Sequence, residues 1–92
     1  MIKTFAHKGL EAFFRTGSTK GIQAKHAFKL SLILDRLDAA TSLKDVHFPG
    51  AGLHPLHGRL TGHWSVRVSG NWRVTFRLEN GDVHVVNYLD YQ

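Results

Sequence analysis

Residues 63–91, HWSVRVSGNWRVTFRLENGDVHVVNYLDY, decide the fold of this chain. Apolar and polar side chains alternate on either side of two turn signals, Ser69-Gly70-Asn71 and Asn80-Gly81, which predicts three consecutive antiparallel strands. In the first hairpin Trp64, Val66, Val68, Trp72, Val74, Phe76 and Leu78 share one face, and Ser65, Arg67, Arg73, Thr75 and Arg77 share the other. That pattern describes a sheet with one buried and one wet face. A three-residue loop over 69–71 pairs Val68 with Trp72 and keeps the apolar sets together, whereas a two-residue loop would oppose apolar to polar residues throughout. The same register sets Arg67 directly across from Arg73. Facing like charges cost stability unless an anion sits between them. The pair reads either as two side chains splaying into water or as a face built to receive an anion such as phosphate.

The third strand admits two registers. A two-residue turn at Asn80-Gly81 pairs Arg77 with His84, Arg73 with Tyr88 and Asn71 with Asp90, gathering Asn71, Arg73, Tyr88 and Asp90 on the wet face. Val85-Val86 breaks the alternation, however, and a bulge there would exchange the faces and turn Tyr91 toward the site. Either Asp90 or Tyr91 then reaches the arginines.

Upstream, residues 1–6 alternate weakly and suit a short strand added to the sheet. Residues 8–16 read as a helix with Leu10, Phe13 and Phe14 on one face, stopped by Gly17. Ser18 or Thr19 is expected to cap a longer helix reaching about Ala40, whose apolar stripe is Ile22, His26, Leu30, Ile33, Leu34 and Leu37. His26, inside the stripe, is expected to be a satisfied, half-buried histidine. Lys25, Lys29 and Arg36 fall on one flank. Phe28 and Leu32 fall outside the stripe, where they form a protein contact or are covered by another segment. Residues 41–47 suit a capped helical turn, and FPGAGLHPLHGRLTG (48–62) is a loop punctuated by glycine and proline. Its glycines match no phosphate-cradle spacing. The order of elements gives an α+β domain over residues 1–92, with the helices packed on one face of a mainly antiparallel, twisted sheet.

A chain of 92 residues supports one core, and with no cysteine it has neither disulfides nor thiolate metal ligands. No run is long enough to span a membrane and the N-terminus lacks a signal peptide's apolar core, so a cytoplasmic protein is expected. The net charge of +5 favours a polyanionic partner. Every lysine lies in the first half, while Arg59, Arg67, Arg73 and Arg77 are the basic residues of the second. Lysine suits diffuse attraction; arginine's planar fork suits directed contact with one phosphate.

His47, His54, His57 and His63 cluster around the loop. They read as surface histidines, as metal ligands or as acid/base groups. Pro55 forbids a regular helix through His54 and His57, and no second motif completes a ligand set, so no metal is expected. Histidine exchanges a proton near neutrality. RNA cleavage needs a base for the ribose 2′-OH, cations for the phosphorane and an acid for the leaving 5′-oxygen. A histidine loop beside an arginine-lined sheet face supplies these, as do Asp90 and Tyr91. No GxSxG elbow supports a serine hydrolase.

The segments TGSTKGIQAKHAFKL, PGAGLHPLHG, GHWSVRVSGNWRVTF and YLDYQ together resemble the HigB toxins of the RelE superfamily, over essentially the whole chain. The resemblance implies a microbial-RNase-like α+β fold and a ribosome-dependent endoribonuclease cutting messenger RNA in the A site. It also implies neutralisation by a HigA-like helix-turn-helix antitoxin, contact with operator DNA only through the toxin–antitoxin complex, and no cofactor. By the same resemblance His54 does acid/base work, Arg73 meets the scissile phosphate, and Asp90 and Tyr91 orient groups or share proton transfer. Asn71 holds the turn or contacts RNA. His57, Arg67, Lys25 and Lys29 are expected to meet RNA or phosphate, and Phe28 and Leu32 the antitoxin. His57 replaces a lysine and Gln92 a histidine of some relatives; Gln92 cannot shuttle a proton. The competing reading is a basic module that binds nucleic acid without cutting it.

Overall fold

The computed structural model describes residues 1–90. Strands β1 (His54–Pro55), β2 (Trp64–Ser69), β3 (Trp72–Glu79) and β4 (Asp82–Asp90) form one antiparallel sheet in that order. The first hairpin pairs Trp64 with Phe76, Ser65 with Thr75, Val66 with Val74 and Arg67 with Arg73, as the alternation requires. Beyond Arg67 the register shifts and Ser69, not Val68, lies opposite Trp72. The expected Val68–Trp72 pair is therefore wrong. A bulge at Val68 absorbs one residue, so a tight turn at Gly70-Asn71 coexists with apolar sets in phase, and Val68 stays buried.

The second hairpin turns on Asn80 and Gly81, both at positive φ (52° and 80°), the backbone that a two-residue hairpin loop demands. Arg77 pairs with His84 as expected. Then Val85 adopts φ 48° and the register jumps, so that Val74 faces Tyr88 and Trp72 faces Asp90. The bulged register is the one realised; the alternative pairs, Arg73–Tyr88 and Asn71–Asp90, do not form. A β-branched residue at positive φ is strained. Here the N-terminal segment holds it. Val85 N–H donates to Thr4 Oγ1 at 2.8 Å, Val86 N–H donates to the Thr4 carbonyl, and Ala6 N–H donates to the Val86 carbonyl at 2.8 Å. Residues 2–5 thus run parallel to β4, bridging Ile2 to Val83 and Phe5 to Val86.

Helix α1 (Lys8–Thr16) is capped by His7, whose Nδ1 accepts from Leu10 N–H at 2.9 Å, and ends at Gly17 with φ 81°. The second helix starts later than expected. A 3₁₀ turn over Ala24–His26 leads into α2 (Ala27–Ala39), and neither Ser18 nor Thr19 caps it. The cause is a close crossing of backbones. A Cβ on Gly9 would lie 2.6 Å from the Gly21 carbonyl oxygen, so the chain passes α1 as a loop before it coils. A Ser42–Asp45 capping box forms the short turn Leu43–Val46.

Leu30, Ile33, Leu34 and Leu37 of α2 and Leu10 of α1 join Val66, Val74, Phe76, Val83, Val86 and Tyr88 in one core. Each large side chain so buried contributes about 1.5–3 kcal/mol. The opposite face is not simply wet: Ser65 and Thr75 are 1% and 2% exposed. Segment 51–56 follows this edge. Arg67 N–H donates to the Ala51 carbonyl at 2.7 Å, and Leu56 is buried apart from the main core. Among the described residues, no helix is long and apolar enough to cross a membrane.

Candidate active site

Strand register arranges the side chains of the arginine face in transverse rows. His54 pairs with Ser65, Ser65 with Thr75 and Thr75 with Asn87, making one row across all four strands. The next row is Arg67, Arg73 and Leu89. Directly paired residues share a face, and rows two residues apart lie about 7 Å from one another. His54, Arg67 and Arg73 are thereby gathered above a floor of two small hydroxyl side chains. The sequence reading missed that floor, because Ser65 and Thr75 look like solvent positions until segment 51–56 is docked.

Arg67 is exposed and Arg73 half-buried. Arg73 Nη1 donates to the carbonyls of Gly70 (2.8 Å) and Trp72 (3.2 Å), which orient the guanidinium without neutralising it. Among the described residues, neither arginine has a carboxylate partner. Two cations facing each other on adjacent strands cost about 0.2–1 kcal/mol. An anion between them would remove that cost and form charge-assisted hydrogen bonds with both.

His54 is exposed, with Nδ1 3.2 Å from the Pro55 carbonyl oxygen. A carbonyl only accepts, so Nδ1 carries the hydrogen and neutral His54 keeps its lone pair on Nε2. That nitrogen can take or return a proton. His57 is exposed at the start of the Gly58–Leu60 turn, and Asn71 is exposed in the hairpin turn two residues before Arg73.

Asp90 is placed otherwise. Its pairing with Trp72 sets it on the opposite face from Arg73, at the end of the sheet. There it rims a pocket of about 440 Å³ with His7, Lys20, Gln23, Trp72 and Tyr88. Tyr91, the other residue expected to approach the arginines, lies outside the described residues. Lys25 and Lys29 belong to the helical layer across the sheet, where Lys29 lines a groove with Leu32, Arg36, Phe48 and Pro49. Phe28 and Leu32 are 77% and 47% exposed, so among the described residues no other segment covers them.

A buried polar cluster fixes the strand ends behind the arginines. Tyr88 Oη lies 2.6 Å from His26 Nδ1 and accepts from Gln23 N–H at 3.4 Å. The tyrosine hydroxyl and the His26 ring share the 2.6 Å hydrogen bond. Burial, aided by the charge of Lys25, lowers the His26 pKa below 6.5, as expected of a satisfied histidine. Burial likewise raises the Tyr88 pKa, against the lowering effect of the Gln23 N–H. Trp72 stacks on Tyr88 with centroids 4.6 Å apart, and His7 meets Tyr88 edge-on. Trp72 is thus locked, and with it the backbone that carries Arg73. The Val85-Val86 doublet was the only sequence signal that Tyr88 would turn inward. Among the described residues, no three histidine, aspartate or glutamate side chains converge as a metal site.

Comparison with known proteins gives a family and a relative for the chain. Residues 3–92 match the family described as the RelE-like toxin of type II toxin–antitoxin system HigB. The chain is also similar to a protein named endoribonuclease HigB from Proteus vulgaris, with 42% identity over 91 residues that cover 99% of each chain.

Proposed function

We propose, from the premise that this chain belongs to the RelE-like HigB toxins of type II toxin–antitoxin systems, that it is an endoribonuclease cutting messenger RNA in the ribosomal A site. The observation that carries the reading is the shared face of His54, Arg67 and Arg73, set by consecutive strand pairings. A full-length relative named endoribonuclease supports it.

In this reading a scissile phosphate sits between Arg67 and Arg73. The ribose 2′-oxygen attacks phosphorus as His54 Nε2 removes its proton, and the two guanidinium groups balance the charge that grows on the phosphorane oxygens. The bond from phosphorus to the 5′-oxygen then breaks, leaving a 2′,3′-cyclic phosphate on one fragment. The departing 5′-oxygen takes a proton from an acid, for which Tyr91 is the candidate, while Asp90, on the opposite face at the end of the sheet, orients groups from there. Asn71 meets RNA beside Arg73. His57 adds a further contact with the strand, and the chemistry needs no metal. Lys25 and Lys29, across the sheet, attract the polyanionic target diffusely.

The protein works in the cytoplasm as a single domain. A HigA-like helix-turn-helix antitoxin neutralises it, with Phe28 and Leu32 in the contact, and operator DNA is met only through that complex. The reading is tested by expressing the toxin without an antitoxin and mapping the 5′ ends of messages. New ends within translated codons, absent from free RNA treated with the purified protein, are expected. Cuts that appear equally in free RNA would refute ribosome dependence, and bound but uncut messages would favour a non-catalytic binding module.

A further inference from the structure

We propose that Arg77, with His84 beside it, forms a second phosphate subsite on the same sheet face, holding the RNA backbone two nucleotide steps from the phosphate on Arg73. The inference rests on the RNA-cleaving reading of that face.

Arg77 lies four residues along β3 from Arg73 and points to the same side, about 14 Å away at the rise of a strand. Its partner on β4 is His84, which the bulge at Val85 keeps on the arginine face although the later residues of β4 have changed register. Between the two arginines lie Thr75 and its partners Ser65 and Asn87. Ser65 and Thr75 are buried, so the RNA strand passes over the groups that cover this row and is held by the cations on either side of it. Asn87 Oδ1 is occupied by Tyr88 N–H at 2.9 Å, which leaves its amide nitrogen as a donor. Two cations in line on one face, spaced by two nucleotide steps, suit a single-stranded backbone.

Glu79 ion-pairs with Arg77, and the two side chains are 45% and 46% exposed. A pair so open to water is weak, and a phosphate offering two oxygens to the guanidinium displaces the carboxylate. Glu79 therefore tempers the subsite rather than closing it. It also gives a test in which one substitution weakens binding and its neighbour strengthens it.

The test measures binding of the purified protein to a short 2′-O-methyl oligoribonucleotide, which cannot be cut, across a salt series. Arg77→Gln is expected to weaken binding about tenfold and to make the dependence of log K on log salt shallower by about 0.7. Arg15→Gln on α1, which removes the same charge from the helical layer, is expected to do neither. Glu79→Gln is expected to tighten binding more than Glu11→Gln, its charge-matched control. Unchanged melting temperatures establish that these variants, and Arg73→Gln beside them, fold. If Arg77→Gln and Glu79→Gln match their controls, the subsite is overturned. Should Arg73→Gln also match Arg15→Gln, the RNA-face reading falls with it; should Arg73→Gln alone weaken binding, only the subsite falls. An Arg77 effect seen with ribosomes but not with the oligonucleotide would assign the contact to ribosomal RNA and overturn the placement on the cut strand.

Discussion

On one side of β2, β3 and β4, the side chains of Val66, Val74, Phe76, Val86 and Tyr88 disappear beneath α2. On the other, the same strands hold Arg67, Arg73 and Arg77 at the surface or half-buried. The apolar side gains stability from every contact it makes. The cationic side gives some back, because Arg67 faces Arg73 and, among the described residues, no carboxylate sits between them. A sheet can present uncompensated charge in fixed geometry when its reverse is packed well enough to hold the strands. The difference between the faces is a division of labour between holding and acting, and each half can be broken separately.

The largest effect belongs to the apolar side. Phe76→Ala removes the largest fully buried side chain and should cost about 3–5 kcal/mol, read by urea unfolding. A cost below 1 kcal/mol would mean that this face does not hold the sheet. His54→Ala strikes the other side. It should reduce message cleavage by about 10²- to 10⁴-fold with an unchanged melting temperature. Loss of both activity and fold would erase the division.

A smaller effect lies where the faces meet. His26 is neutral in the folded protein and its pKa is below the ordinary 6.5, so the unfolded chain takes up a proton at higher pH than the folded one. The stability it contributes is complete above about pH 6.5 and is lost as pH falls below that value toward the folded pKa. Melting temperatures between pH 7.5 and pH 5 should therefore fall more steeply for the native protein than for His26→Gln (a range chosen to bracket the histidine titration, about one unit or more either side). Equal slopes would show that the Tyr88–His26 bond does not select the neutral imidazole. Smallest is Arg67→Ser, which relieves the facing charges and should stabilise the free protein by about 0.2–1 kcal/mol while weakening RNA binding. Destabilisation would indicate that Arg67 is held by a partner rather than opposed.

How far the sequence disclosed this arrangement depends on which face is considered. Alternation from Trp64 to Leu78 gave the apolar set and the Arg67–Arg73 pair, because both follow from a period of two and an in-phase turn. It could not give the bulge at Val68, since a bulged two-residue turn and a three-residue loop keep the same faces in phase. The bulge at Val85 was legible only as an alternative. Positive φ at a β-branched residue is set by Thr4, 81 positions away in the chain. The late start of α2 depends on contact between Gly9 and Gly21, which no local propensity encodes. For the site, residue types and the loop's position were legible. The buried floor and the stacked Trp72 that carries Arg73 were not, because each depends on which distant segment docks there.

The division of labour is tested most directly by Arg73→Ala in a translating extract, with cleavage of a defined message followed by primer extension beside a melting curve of the same preparation. The account predicts a native melting temperature, or one slightly raised by relief of the Arg67 contact, and cleavage reduced by about 10²-fold or more. Cleavage at the native rate by a variant with a native melting curve would contradict it.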